Sequence, residues 1–328
     1  MSDPSLIRFR AILEAGVRAL EARCDEVNEL NVFPVADGDT GDNMVLTLRA
    51  VLDELDRLAG GAEGRTLDEI GRGEIVASVA RAALLGARGH SGVILSQLVR
   101  GAAEELASRP GELIDPVLIG AALARAVDQA YGSVRQPVEG TILTVVREMA
   151  TAVASALAHM PERRLAQRAS DREQNEILAQ VLTAALAAGE LSVSRGPDVL
   201  APLREAGVVD AGGYAVTVLL AGIIGALRGS EPPALKHRPA RQPTHPQHSS
   251  STFRYCVNLA LSGENLNRRA LARALERLGD SVLVVGDHTT LRVHLHTDEP
   301  EAARAVVGEA GAVSHVYVAD MRERPEPR

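Results

Sequence analysis

The sequence predicts two domains of different class, an all-α domain over residues 1–228 and a smaller α+β domain over residues 252–328. Three observations carry this. Up to residue 228 Ala and Leu dominate, apolar residues recur at helical spacing, and β-branched alternation is scarce. A stretch rich in Pro, His and Ser, 229–251, then has the composition of a solvated linker. Beyond it the apolar period changes to short alternating runs. At 328 residues the chain is long enough for two cores.

In the first domain the spacing predicts helices over 5–23, 43–58, 68–85, 92–107, 116–132, 141–158, 173–188, 198–206 and 213–227, most of them stopping at glycines. In the second, Phe253 to Leu261 reads as a strand and Leu266 to Leu278 as a helix ended by Gly279. Ser281 to Val285 and Leu291 to His296 are strands joined by the hairpin turn 286–290. A helix over 300–310 and a last strand, Val313 to Val318, complete a β-α-β-β-α-β order. That order is the ferredoxin-like split βαβ pattern.

Composition excludes several roles. The net charge is −8, 2% of residues are aromatic and Trp is absent. An extended nucleic-acid surface needs clustered cations and stacking rings, so no nucleic acid is expected as a partner. Two distant cysteines give no disulfide framework. The N-terminus lacks the apolar core of a signal peptide, and no apolar run reads as long enough to span a bilayer. A soluble cytoplasmic protein is the expectation.

The chemistry concentrates in four loops, each preceding a helix. Asn31 to Met44 holds Asp37, Asp39 and Asp42 within six residues. Carboxylates this close repel unless a cation joins them. Gly38 lets Asp37 and Asp39 aim at one point, and hard oxygen donors in a tight turn suit Mg²⁺, which completes its shell with water and phosphate. Val45, Leu48, Val51, Leu52 and Leu55 then mark a helix. The second loop, Gly86 to Gly92, offers glycines and Ser91 at a helix start, the makings of a phosphate cradle or a simple capped connector. It lacks the Gly-Lys-Ser/Thr of a Walker A loop. The third, 136–141, ends at Thr141 as N-cap with Glu139 nearby. In the fourth, 205–213, Gly207 ends a helix, Asp210 caps the next, and Gly212 and Gly213 permit close approach of a flat adenine or ribose.

A second constellation lies in the tail. His294 and His296 are two apart on a strand and share a face, and adjacency of the first and third strands places Cys256 beside them. One Cys and two His suit Zn²⁺, with His288, Asp287 or a water as the fourth ligand. The same three residues serve equally as buried strand core.

The four ordered loops resemble the DhaL nucleotide-binding domain, the L subunit of dihydroxyacetone kinase, and more closely that domain in the large kinase component of bacterial fatty acid kinase. The tail, with Cys256, Gly279-Asp280-Ser281, His294 to Asp298 and Pro300, is similar to that component's middle domain, which has a matching Cys/His/His set. The resemblance implies an eight-helix antiparallel barrel holding Mg-ATP in loops at one end. It implies magnesium on Asp37 and Asp39, which are the catalytic positions; the oxygen of the further acid that the triose kinases carry is expected here from Asn31 or Asp42. Nucleotide contacts would come from Asn31, Thr40, Asn43, Met44, Gly89, His90, Ser91, Gly92, Thr141, Asp210, Gly212 and Gly213. The implied activity is a kinase needing a partner, phosphorylating a carboxylate or hydroxyl on a fatty-acid-binding or other substrate-carrying protein, with the middle domain forming a homodimer or docking the partner. A nucleotide-binding regulatory module without transfer, or a dihydroxyacetone kinase component, are the alternatives. Departures are Asn31 where the triose kinases carry an acid, Asp42 where Thr is usual, and His90 where Asn is usual. The sequence stops at Arg328, where longer relatives continue into a third domain.

Overall fold

The computed structural model describes residues 4–60, 71–109, 112–161, 164–166, 169–236 and 253–322. Eight long helices form the first domain: α1 (Pro4–Glu21), α3 (Thr40–Ala59), α4 (Arg72–Gly86), α5 (Gly89–Ser108), α6 (Pro116–Ser133), α7 (Ile142–His159), α8 (Asp171–Val199) and α10 (Ala211–Arg228). Each packs on the next, and α10 returns to α1, so the helices close into a ring. Short connections between consecutive helices make them run up and down alternately. Two six-residue helices, α2 (Cys24–Glu29) and α9 (Ala201–Ala206), lie in the connections before α3 and α10.

The ring is held by an interior apolar stripe from each helix. On α3 the residues at helical spacing, Val45, Leu48, Val51, Leu52 and Leu55, are all buried, as are Leu20 of α1 and Val193 of α8. Full burial of such a side chain contributes about 2 kcal/mol. Helix ends are set locally. Asp115 accepts from the Leu118 N–H at 2.8 Å ahead of Pro116, and Ser170 with Glu173 forms a capping box. Gly207 and Gly229 adopt the left-handed conformation that closes α9 and α10.

The structure departs from the expected elements in identifiable places. The acid-rich α2 is too short to show a period. The long α8 continues through 188, where a stop was expected. Gly189 sits where a side chain would meet Met149 of α7, so it serves close packing, and Pro197 falls within the last turn. Among the described residues three helices, α7, α8 and α10, are long and apolar enough to cross a membrane by length and composition, with mean hydropathy of 1.2 to 1.5, which corrects the expectation that no run is. In this fold they bury apolar faces against one another and their neighbours. Of the expected helix 68–85, residues 68–70 lie outside the described residues, as do residues 237–251 of the expected linker. Gly229 to Lys236 are described, and Leu235 packs against the ring while the Lys236 N–H meets buried Glu190.

The second domain contains β1 (Tyr255–Ser262), α11 (Arg268–Leu275), β2 (Gly279–Gly286), β3 (Thr290–Thr297), α12 (Pro300–Gly308) and β4 (Ala312–Asp320). The sheet order is β2-β3-β1-β4 with every pair antiparallel, the ferredoxin-like arrangement. Strand alternation sorts its two faces. Val257, Leu259, Leu261, Leu291, Val293 and Leu295 pack with Leu271, Leu275, Ala303 and Val307 of α11 and α12. The opposite face carries Cys256, Asn258, Arg292, His294 and His296. Leu283 and Val285 on that face pack against Leu84, Ala87 and Val93 of the ring. The contact is reinforced by an Arg135–Glu276 ion pair and by the Arg88 guanidinium, 4.8 Å from the Tyr317 ring centroid.

Candidate functional site

In an up-and-down ring, alternate helices begin at the same end. Here α3, α5, α7 and α10 begin together, and their N-termini surround one cavity of about 320 Å³. The first turn of each helix leaves N–H groups without backbone acceptors and carries the positive end of the helix dipole. Four such ends on one space make it suited to an anion.

The acidic turn lies at the start of α3. Gly38 takes φ +71, and Asp37 and Asp39 on either side of it both line the cavity, with Thr40 and Asn31 beside them. Burial and the charge of Asp39 hold the Asp37 carboxyl well above the usual carboxylate range, while a hydrogen bond from the Asn31 amide draws it back. Burial likewise raises Asp39. Among the described residues no Lys or Arg forms an ion pair with either acid. A pair of carboxylates pushed toward protonation by their surroundings fits a divalent cation held by Asp37 and Asp39.

Across the cavity His90 and Ser91 occupy the first turn of α5. The helix begins at Gly89, so Ser91 is not its N-cap. Thr141 and Ile142 line the wall at α7, and Asp210 and Gly212 line it at α10. Thr141 stands at the N-cap position of α7, but its hydroxyl donates to the Val138 carbonyl at 2.7 Å. Asp210 does cap its helix, accepting from the Gly213 N–H at 2.7 Å. Burial pushes its carboxyl up to about 6, with the Gly213 and Ile142 N–H groups acting the other way. Glu139 does not line the cavity and makes a bidentate pair with Arg147 at 2.7 Å.

Other expected residues are placed away from the cavity wall. Asp42 is exposed on α3, its carboxylate accepting from Asn28 Nδ2 at 2.9 Å. Met44 belongs to the apolar core. Asn43 packs under Gly89, and a side chain at Gly92 would meet Thr47 Oγ1 at 2.6 Å and the Asn43 carbonyl at 3.1 Å. These two glycines therefore let α5 approach α3. A side chain at Gly213 would meet Val145 at 2.7 Å.

The sheet domain closes the remaining side. Ser281, with φ +52, and His296 line the cavity. Behind His296 lie His294 and Cys256, and one donor atom from each of the three is within 4.8 Å of the others. The Cys256 thiol is pushed up by burial and by the nearby charges of Asp39 and Asp37, so this cluster neighbours the acidic turn. Burial lowers His296 to about 4, and burial with His296 lowers His90 to about 4. The hairpin residues Asp287 and His288 sit beyond the opposite end of β3, about 20 Å or more along the strand from His296. They do not complete the cluster. Sequence reasoning missed Asn258 and Arg292 on the polar sheet face, and it named Ser281 only within the Gly279-Asp280-Ser281 motif without a place in the site. The first two were open to detection, because Cys256-x-Asn258 and Arg292-x-His294-x-His296 share one strand face.

The model of the DAK2 domain family matches residues 34–225, more than half of the chain. The chain belongs to the DAK2 domain family. Behind the DAK2 domain, residues 252–327 match the model of the FakA-like middle domain of fatty acid kinase. The whole is thus a kinase-family module. Protein YloV of Bacillus subtilis is 31% identical over 331 residues, and the uncharacterized protein SSP1546 of Staphylococcus saprophyticus 32% over 330. Each match covers 96% of this chain and 55% of the relative, so the chain spans about half the length of the relatives it matches. The dihydroxyacetone kinase from C. freundii, in complex with AMP-PNP and Mg²⁺, is similar with a TM-score of 0.45 and 19% identity, over 70% of this chain and 34% of that one.

Proposed function

We propose that the DAK2 domain binds Mg-ATP in the cavity at the four helix N-termini and acts as a phosphotransferase of the fatty acid kinase kind. The observation that carries this reading is the position of Asp37 and Asp39, which face Ser91 and the α5 N-terminus across one cavity. Asp37 and Asp39 are the residues to hold magnesium, whose chemistry there is to neutralise charge on the phosphates. Asn31 orients the Asp37 carboxylate. Ser91 and the N–H groups at the start of α5 bind phosphate oxygens, and Gly212, with no side chain, leaves room for the flat part of the nucleotide. The protein's contribution is positioning and electrostatic stabilisation, with no covalent step.

A carboxylate acceptor has no proton to lose, so the site needs no general base for it. Its oxygen attacks the terminal phosphorus, the bond to the leaving ADP oxygen breaks, and an acyl phosphate forms. A separate substrate-carrying protein presents the acceptor. The sheet domain serves dimerisation or docking, which the exposed Val316, Tyr317 and Val318 on the edge strand β4 support. The setting is the cytoplasm, where ATP is available.

The test mixes the chain with labelled ATP, Mg²⁺ and a lipid-loaded fatty-acid-binding protein, and traps acyl phosphate with hydroxylamine. Trapped product that disappears in Asp39→Asn supports the reading. Nucleotide binding without product under these conditions would leave a binding module in its place, and label on dihydroxyacetone would make the chain a triose kinase component.

A further inference from the structure

Two aspartates stand at N-cap positions on the cavity, and the fold uses them differently. Asp210 caps α10 with its own carboxylate, through the Gly213 N–H at 2.7 Å. Asp39 holds the same position before α3, yet its side chain makes no capping hydrogen bond. An N-cap carboxylate ordinarily accepts from the second or third N–H of its helix, which here belong to Gly41 and Asp42. Both N–H groups are taken instead by Asn28 of α2, whose Oδ1 accepts from Gly41 at 2.7 Å and from Asp42 at 3.4 Å.

Asn28 is fixed in this role from several sides. A backbone N–H only donates, so the two contacts establish Oδ1 as the amide atom that faces α3. Its Nδ2 donates to the Asp42 carboxylate at 2.9 Å, which holds the amide from its other end. A side chain at Gly41 would meet the Cys24 carbonyl at 2.6 Å and Asn28 Oδ1 at 2.9 Å, so the glycine is what lets α2 come this close. The short helix is itself anchored. Val27 is buried in the ring core, and the Tyr214 hydroxyl of α10 accepts from Arg23 at 2.7 Å and donates to Glu26 at 3.0 Å. Asn31, which orients Asp37, donates its own N–H to the Asn28 carbonyl at 3.1 Å. Both acids of the turn are thus reached from α2.

We propose that Asn28 caps α3 in place of Asp39, and that this keeps the Asp39 carboxylate turned into the cavity and open to a cation. Asn28 is a positioning residue, because it does not line the cavity and acts through Asp39. The use of the freed carboxylate for magnesium rests on the nucleotide reading above, whereas the replacement of one cap by another does not. Without Asn28 the first turn of α3 has two open donors beside Asp39. An N-cap bond of ordinary strength would then draw the carboxylate back toward the helix with a preference of about fivefold.

The test compares the full wild-type chain with Asn28→Ala and with a swapped pair, Asn28→Asp combined with Asp42→Asn. The swapped pair keeps an acceptor for the Gly41 N–H, a hydrogen bond between the two side chains, and the net charge. In a metal-free crystal structure of Asn28→Ala, the Asp39 carboxylate is expected within hydrogen-bond distance of the Gly41 or Asp42 N–H. An Asp39 still turned into the cavity, with those N–H groups on water, overturns the proposal. Manganese affinity is then read by electron paramagnetic resonance with a non-hydrolysable ATP analogue present. Asn28→Ala should bind Mn²⁺ about fivefold more weakly than wild type, and the swapped pair should recover the loss. Equal affinity in wild type and Asn28→Ala, or a loss that the swapped pair does not recover, overturns the positioning of Asp39. A wild-type chain that takes no manganese would sink the nucleotide reading instead, and the metal-free structure would still decide which residue caps α3.

Discussion

The acidic turn before α3 and the polar face of the sheet meet at one cavity, and burial acts on them in opposite directions. It raises Asp37, Asp39 and Asp210, and it lowers His90, His294 and His296. Both changes favour the neutral form, since a low-dielectric interior penalises charge of either sign. The consequences for a cation differ. A carboxylate must lose its proton before it binds metal, whereas a neutral imidazole is already a ligand. Oxygen donors suit a hard ion and sulfur and nitrogen donors a softer one, so the two walls differ in the chemistry they favour.

Separating the two clusters by mutation gives the largest expected effect. Asp37→Asn or Asp39→Asn should weaken Mg²⁺-dependent binding of a non-hydrolysable ATP analogue at least ~100-fold by calorimetry, a loss of about 3 kcal/mol. Cys256→Ser should change that affinity little. Equal losses from both kinds of variant would show that the clusters act as one. Near neutral pH and without metal, the same Asp variants should melt at a higher temperature than wild type, because each removes a carboxyl whose ionisation is penalised on burial but free in the unfolded chain.

Titration sharpens the comparison next. Asp210 rises from 3.8 to about 6 on folding, so the folded chain binds more protons between those values. Its contribution to stability is full below about 4 and is lost as pH climbs through 6. Asp210→Asn should flatten the pH dependence of melting in that window. For the raised Asp37–Asp39 pair, protons compete with magnesium, and Mg²⁺ affinity should increase with pH.

A smaller effect is expected of Gly92→Val. The added side chain would meet Thr47 and the Asn43 carbonyl, so it should destabilise the α3–α5 contact by about 1–3 kcal/mol in denaturant unfolding. Smallest is Ser91→Ala, which removes one hydroxyl donor and should cost nucleotide affinity about fivefold, roughly 1 kcal/mol.

What the sequence made legible is local. The α3 stripe from Val45 to Leu55 is periodic enough to be read directly, and so is the strand alternation that separates Val257 and Leu259 from Cys256 and Asn258. All four loops reach the cavity because each stands before a helix that starts at the same end of the ring. The misplaced expectations depend on tertiary contacts. Gly92 looks like part of a cradle in sequence, and only the approach of α5 to α3 shows it to be a packing glycine. Asp42 looks like a third member of the acidic cluster, but one turn of helix carries it out to Asn28. A fourth partner of the Cys/His group was sought on the nearby hairpin or in a water, whereas β3 carries Asp287 and His288 away from the group and the domain contact sets the His90 ring centroid 5.8 Å from that of His294.

The central claim is that Asp37 and Asp39 hold the metal of a nucleotide complex facing Ser91. Crystals grown with Mn²⁺ in place of Mg²⁺ and a non-hydrolysable ATP analogue test it most directly, through anomalous scattering from manganese. The account predicts an anomalous peak within ligand distance of both carboxylates, with the phosphates between them and the α5 N-terminus. Phosphates bound elsewhere, or no manganese at either carboxylate, would contradict it.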